Sequence, residues 1–371
     1  MSLKEAYINC RNIMKKFIKL KYWTTFSSAD IFYILDGANK SLFTFVEQFM
    51  KESFGCQVYF TKKGFNYVHD ILTTTDEGAI SLCDSDCLVA VCISKKDLED
   101  KEKEFLKKNN VRITEENNLI IYRFEPGFGQ RIANRREIEL MSDYFDYILS
   151  IINNEFNDIV EAFKEGNVVL ALMDKVNFQY SVAYRPLPYL EEMPRKTPKN
   201  NAFVEEFENT LYTNDNCYLF AAYLPIVIKE TNVRPLITYF YFPNTNKHYF
   251  KYILDTPKEY KSCMFGILYD VFSKVGVPTK IIYNDRIIYS ILYQTVNALN
   301  IEQEFLREKR NVDANLNDLI ARVYTQADKQ VVENREVVEL LMDTISSCIN
   351  ELNEYPDEDY LDENNEFSFV S

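Results

Sequence analysis

Glycine and proline are scarce in this chain, nine and eleven residues among 371. Neither G-x-G-x-x-G nor G-x-x-x-x-G-K-[ST] occurs, which excludes a glycine-lined phosphate cradle of the dinucleotide or P-loop type. Histidine is scarcer still, with two residues. Ser-His-Asp or Cys-His catalysis therefore has only His69 and His248 to draw on, and no G-x-S-x-G elbow is present. His69, in NYVHDIL, reads as a partly buried packing residue on a helix, and His248, in NTNKHYF, as an exposed hairpin tip. No apolar run approaches the length of a membrane-spanning helix, so none is expected. The opening MSLKEAYINCRNIMKKF scatters its charges and lacks the apolar stretch of a secretory signal. Positive charge is also in deficit: 42 Lys and Arg against 56 Asp and Glu give −14. Such a field repels phosphate backbones and disfavours direct nucleic-acid binding.

What is present is a well-stocked interior. Hydrophobic residues make up 47% and charged residues 26%, with 26 Tyr and 27 Phe, so the chain is globular and long enough for two cores. The eight cysteines sit in apolar or strand-like contexts such as FGCQVYF and NDNCYLF. Free thiols in a reducing cytoplasm account for them, and cytoplasmic localisation is expected. Cys83, Cys87 and Cys92 lack the second pair that a structural zinc site needs, so no metal is expected there.

Periodicity divides the chain. An α+β domain is expected over residues 1–130, with a helix over 3–21 and strands at DIFYIL, CQVYF, LVAVCI and LIIYRF. Ser41 to Ser53 reads as a helix and not as a hairpin partner, and a further helix starts near Gly64. Residues 131–166 form a long amphipathic helix placed to brace the two halves. VVLALMD and FQYSVAYRP, over 168–186, read as a strand pair opening a second, α/β domain over 167–330. Pro-rich Leu187 to Asn201 is the linker candidate. CYLFAAYLPIVI, PLITYFYFP and KYILDTP then supply three strands, Glu259 to Lys274 a helix, KIIYND a strand, Ile287 to Leu299 a helix, and 307–325 another. A C-terminal helix is expected over 331–353. The tail over 354–371 is acidic and without Lys or Arg. It reads as a solubilising segment, or alternatively as a mimic of nucleic-acid charge for a DNA-handling partner.

SLFTFVEQFMKESFGCQVYFTKKGFNYV, DSDCLVAVCIS and YRFEPGFGQRIANRREIELM, with RPLITYFYF and GVPTKIIYNDRIIYSILYQTVNALNI, resemble an uncharacterised bacterial family in which two domains of unknown function occur in tandem. Some of its members carry an added zinc-binding Cys/His motif, which is missing from this chain. The second half also resembles RNase H-like and integrase cores: three strands in series, then helix, strand and helix, with a G-[IV]-P turn before a strand that ends in an acid. That resemblance implies a mixed-sheet α/β domain with C-terminal helices and makes Asp285 the second metal-binding acid. The first acid would fall on Leu236 to Phe242, where there is no carboxylate. The third, helix-borne in such cores, would fall on Glu302 or Glu304.

Two-metal phosphoryl transfer needs two or three converging carboxylates, and Asp285 also stands where a helix N-cap is needed. The cap is the reading favoured for Asp285. The expectation is a non-enzymatic binding or adaptor module without a cofactor, on a degenerate RNase H-like scaffold. The alternative is a divergent Mg²⁺- or Mn²⁺-dependent nuclease or phosphoryl transferase using Asp285, Glu302 and Glu304. The anion-binding candidates are Arg123, Arg131 and Arg135, with the last two read as one helical turn apart. Pairing with Glu137, Glu139 or Asp143 is the competing role. A protein partner or small anionic ligand is expected, in a cleft between the domains near Arg131, Arg135 and Asp285.

Overall fold

The computed structural model describes residues 2–21, 25–36, 39–46, 55–60, 64–65, 68, 85–174, 179–186, 196–305 and 331–354. His69, Cys83, most of the 187–201 linker, the expected helix over 307–325 and the acidic tail beyond 354 lie outside these residues. The chain divides into two compact units, Met1–Glu192 and Met193–Ser371.

The first unit is built on eight strands in the order β6-β5-β4-β3-β2-β1-β7-β8. These are β1 (Phe32–Asp36), β2 (Asn39–Val46), β3 (Gly55–Phe60), β4 (Cys87–Ile93), β5 (Asn118–Phe124), β6 (Arg131–Ile132), β7 (Asn167–Asp174) and β8 (Gln179–Pro186). Neighbours are antiparallel except β1 and β7, which run parallel. Every residue of β4 is buried, as a strand covered on both faces requires. Helix α1 (Leu3–Leu20) starts from a capping box between Ser2 and Glu5 and buries Tyr7, Cys10, Ile13, Met14 and Phe17. Helix α2 (Asp100–Lys108) follows β4, and α3 (Arg135–Lys164) follows β6. Phe43, Phe45, Phe17 and Phe145 meet edge to face, with centroids 5.2 to 6.2 Å apart.

Three expectations are corrected in this unit. Residues 41–46 are the second strand of a hairpin with β1, with Phe43 opposite Phe32, and not the start of a helix. Leu42, Phe43 and Phe45 are all fully buried, so the apolar run serves both faces of a sheet. The 167–186 strand pair is present but belongs to the first unit, because the apolar run Val168–Met173 pairs in parallel with β1. Helix α3 is likewise part of this core: Ile138, Met141, Phe145, Ile148 and Ile152 pack within the first unit's cluster.

The second unit carries five strands in the order β12-β11-β9-β13-β14. They are β9 (Asn216–Tyr223), β11 (Leu236–Phe242), β12 (Lys247–Ile253), β13 (Lys280–Tyr283) and β14 (Glu302–Phe305), with a separate pair, β10 (Ile226–Ile228) and β15 (Val331–Glu333). β11 is antiparallel to both β9 and β12, while β13 runs parallel to both β9 and β14. The helices are α4 (Asn201–Phe207), α5 (Tyr260–Val275), α6 (Arg286–Ala298) and α7 (Arg335–Glu354).

Alternation along the strands divides this unit's core in two. Cys217, Leu219, Ala221 and Tyr223 of β9 face α4, α5 and α6, with Phe240 and Phe242 beside them. Phe220 and Ala222, with Ile237, Tyr239 and Phe250, face Val338 and Met342 of α7. His248 is corrected here: it is buried, stacked on Tyr241 at 4.8 Å, and its Nδ1 lies 2.6 Å from the Tyr239 hydroxyl. The hairpin tip is two residues earlier, at Asn246, whose φ of 48° is left-handed. Asn353 of α7 secures the same strand, accepting the His248 N–H at 2.7 Å and donating to its carbonyl at 2.6 Å.

Candidate functional site

Asp285 stands two residues past the end of β13 and is the N-cap of α6. Its Oδ1 accepts the backbone N–H groups of Ile287 and Ile288 at 2.9 and 2.8 Å, the bonding of an N-cap. The residue before it ties the strand end to the sheet's centre: Asn284 Oδ1 accepts from the Ala221 amide at 2.9 Å. Asp285 therefore stands at the carboxyl end of β13, beside the end of β9.

Aromatic rings and a cation furnish that end of β9. Arg234 is fully buried; its Nε donates to the Leu224 carbonyl at 2.9 Å and its Nη2 to the Tyr223 carbonyl at 3.4 Å. The guanidinium lies 5.4 Å from the centroid of the Tyr223 ring. Tyr260, the first residue of α5, is buried against Tyr223 with ring centroids 6.3 Å apart. Burial pushes the Tyr260 hydroxyl well above the usual phenol range; the field of Arg234 opposes this and that of Asp285 adds to it. Arg234 and Asp285 thus act on the Tyr260 hydroxyl in opposite directions. Sequence reasoning missed Arg234 and Tyr260 as site residues: Arg234 opens RPLITYFYF, which reads as a strand, and Tyr260 falls within a helix pattern.

Glu302 and Glu304 are not on a helix. Asn300 adopts a left-handed conformation, φ 56°, just past the end of α6, and the chain re-enters the sheet as β14. The two glutamates stand opposite Lys280 and Ile282, and both reach the Lys280 ammonium at 2.8 Å. Hydrogen bonding to Glu302, then to Glu304, raises the Lys280 pKa. At about 3.3 Å per strand residue, Lys280 lies some five residues, about 16 Å, short of Asp285. The three acids read together from the sequence therefore do not converge. Among the described residues, no three His, Cys, Asp or Glu side chains assemble into a group able to hold a metal ion.

The arginine cluster of the first unit does come together, with carboxylates inside it. Arg123 pairs through Nη2 with Asp86, and its Nε lies 3.5 Å from Glu137. Arg131 grips Glu137 with both terminal nitrogens, at 2.8 and 2.7 Å, and reaches Glu125 at 3.5 Å. Burial pushes the Glu137 carboxyl up, but the Arg131 guanidinium, the Asn134 amide and the field of Arg123 outweigh it and hold the group below the ordinary range. Arg131 and Arg135 are not one helical turn apart. Arg131 lies on β6, and Asn134 caps the helix that begins at Arg135, which reaches Glu139 at 3.9 Å.

All seven cysteines among the described residues are free; Cys10, Cys56, Cys87, Cys92 and Cys217 are buried. Burial raises the thiol pKa of Cys10, Cys56, Cys92 and Cys217, which makes them packing residues and not nucleophiles. No helix among the described residues is long and apolar enough to cross a membrane.

The fold defines the class: two mixed α/β units, each with a sheet of mixed strand direction. Within it, residues 9–171 match a family described as "Domain of unknown function (DUF7309)", which covers most of the first unit. No curated protein matches the chain. Among solved structures, similarity is found to a chain of the simian T-cell lymphotropic virus intasome in complex with PP2A regulatory subunit B56 gamma. Identity is 14%, the TM-score is 0.24, and the match covers 38% of this chain and 48% of that one. This chain thus spans about half the length of that relative.

Proposed function

We propose that the protein is a non-enzymatic binding or adaptor module whose second unit keeps an RNase H-like frame without its acidic site. The frame is read from three antiparallel strands in series, followed by helix, strand, helix and edge strand, with β9 at the centre. One observation carries the functional half of this reading. Asp285 caps α6 through two backbone N–H groups, while Glu302 and Glu304 are both held by Lys280. Two-metal phosphoryl transfer needs carboxylates that bracket cations about 4 Å apart. Among the described residues, no group of three His, Cys, Asp or Glu side chains able to hold a metal ion includes Asp285.

A cleavage assay tests the reading. The full chain is incubated with DNA or RNA and Mg²⁺ or Mn²⁺, beside an Asp285→Asn variant that keeps the cap but weakens metal binding. No cleavage that depends on Asp285 is expected. Metal-dependent cleavage lost in Asp285→Asn would overturn the proposal.

A further inference from the structure

A shallow, open cleft of about 530 Å³ in the second unit is lined by Lys199, Asn200, Asn201, Lys258, Lys261, Ser262 and Phe265. Three lysines and, among the described residues, no carboxylate line it, in a chain that carries −14 overall. Two acids flanking Lys258 and Lys261 have other partners. Glu259 accepts from the Thr256 hydroxyl, and Asp255 lies 3.7 Å from Arg335. Three other lysines of this unit are paired with acids: Lys251 and Lys274 share Asp270, and Lys280 holds two glutamates.

The walls are fixed by the fold. Asn200 donates its amide to the Thr295 hydroxyl at 2.9 Å and caps α4 by accepting from the Phe203 amide at 3.2 Å. Phe265 is buried against Phe203, with ring centroids 5.5 Å apart. The lysines are exposed, and their Cα positions lie at the start of α4 and α5. Gathering like charges costs energy that a bound anion recovers, and the amide side chains of Asn200 and Asn201 add donors for oxygen atoms.

We propose that this cleft binds a small polyphosphorylated molecule, a nucleoside triphosphate or short polyphosphate, through Lys199, Lys258 and Lys261. The ammonium is a point charge suited to phosphate oxygens, and the cleft volume lies within the range of small-molecule sites. Size decides against a long polyanion. At physiological salt, charges are screened over about 8 Å, so a short ligand feels the three lysines while a nucleic-acid strand also meets the acidic surface beyond them. The cleft shares no lining residue with the cluster at Asp285, so it stands or falls independently of the adaptor reading.

Calorimetric titration of the full chain with inorganic tripolyphosphate and with ATP tests the site. Saturable binding that weakens with added salt is expected. The triple variant K199Q/K258Q/K261Q should weaken it at least about tenfold, with an unchanged circular dichroism spectrum and melting temperature. The absence of saturable binding, or tripolyphosphate binding unaltered in the triple variant, would overturn the proposal. So would tighter binding of a short single-stranded oligonucleotide or an acidic peptide than of tripolyphosphate.

Discussion

The two units handle their cations differently. In the first, Arg123 and Arg131 are interleaved with Asp86, Glu125 and Glu137, so the guanidinium groups arrive with their counter-charges built in. In the second, Lys199, Lys258 and Lys261 line one shallow cleft with no carboxylate in its lining among the described residues. A cluster of basic residues in a sequence is therefore not yet a site. What separates a structural network from a ligand cleft is whether the fold brings acids to the same spot. The first unit spends its charge on holding β4, β5 and the start of α3 together, and the second leaves part of its charge facing outward.

That contrast is breakable, and the largest effect should come from Arg123. Its side chain and that of Asp86 are each only 12% exposed, so Arg123→Ala leaves carboxylates buried without their cation. A loss of about 3 kcal/mol in denaturant unfolding is expected. A change below about 1 kcal/mol would mean the network is solvated and the contrast between the units is lost.

The next effect is on pH. Because the folded-state pKa of Glu137 lies below the ordinary value of 4.5, its contribution to stability is fully present above that value. It is lost as the pH falls through the lower, folded-state value. Glu137→Gln should cost about 2 kcal/mol near neutral pH and flatten the acid limb of the stability curve. An acid limb identical to that of the unsubstituted protein would remove Glu137 as its source.

The smallest effect sharpens the role of Asp285. Asp285→Ala should cost about 1 kcal/mol through loss of the cap, while Asp285→Asn and Asp285→Ser should stay within a few tenths, since both cap well. Equal losses in all three variants would show that the charge itself is required.

Much of the second unit was legible in the sequence because its strands alternate cleanly. Cys217, Leu219 and Ala221 face one way, and Phe220 and Ala222 the other. Asp285 was readable as a cap from its place between KIIYN and an amphipathic run. What escaped depended on partners distant in sequence. SLFTFV has helix-compatible apolar spacing, and only its pairing with β1 makes it a strand. VVLALM could have joined either unit, and the parallel bond to β1 decides it. The integrase-core resemblance implies a helix-borne acid at Glu302 or Glu304, but after the left-handed turn at Asn300 these residues form β14. The burial of Arg234, in NVRPL, is set by the backbone carbonyls of Tyr223 and Leu224, which no local pattern announces. The lysines of the cleft are 59 or more residues apart across the Lys199 to Lys258 gap, so their meeting is a property of topology alone.

The central claim is that the acid at the end of β13 is a helix cap and not a metal ligand. A divalent cation bound to the native state would raise the melting temperature by mass action. Thermal unfolding of the full chain with and without millimolar Mn²⁺ or Mg²⁺ is therefore the most direct test. No shift dependent on Asp285 is the predicted result; a rise with Mn²⁺ that disappears in Asp285→Asn would contradict the account.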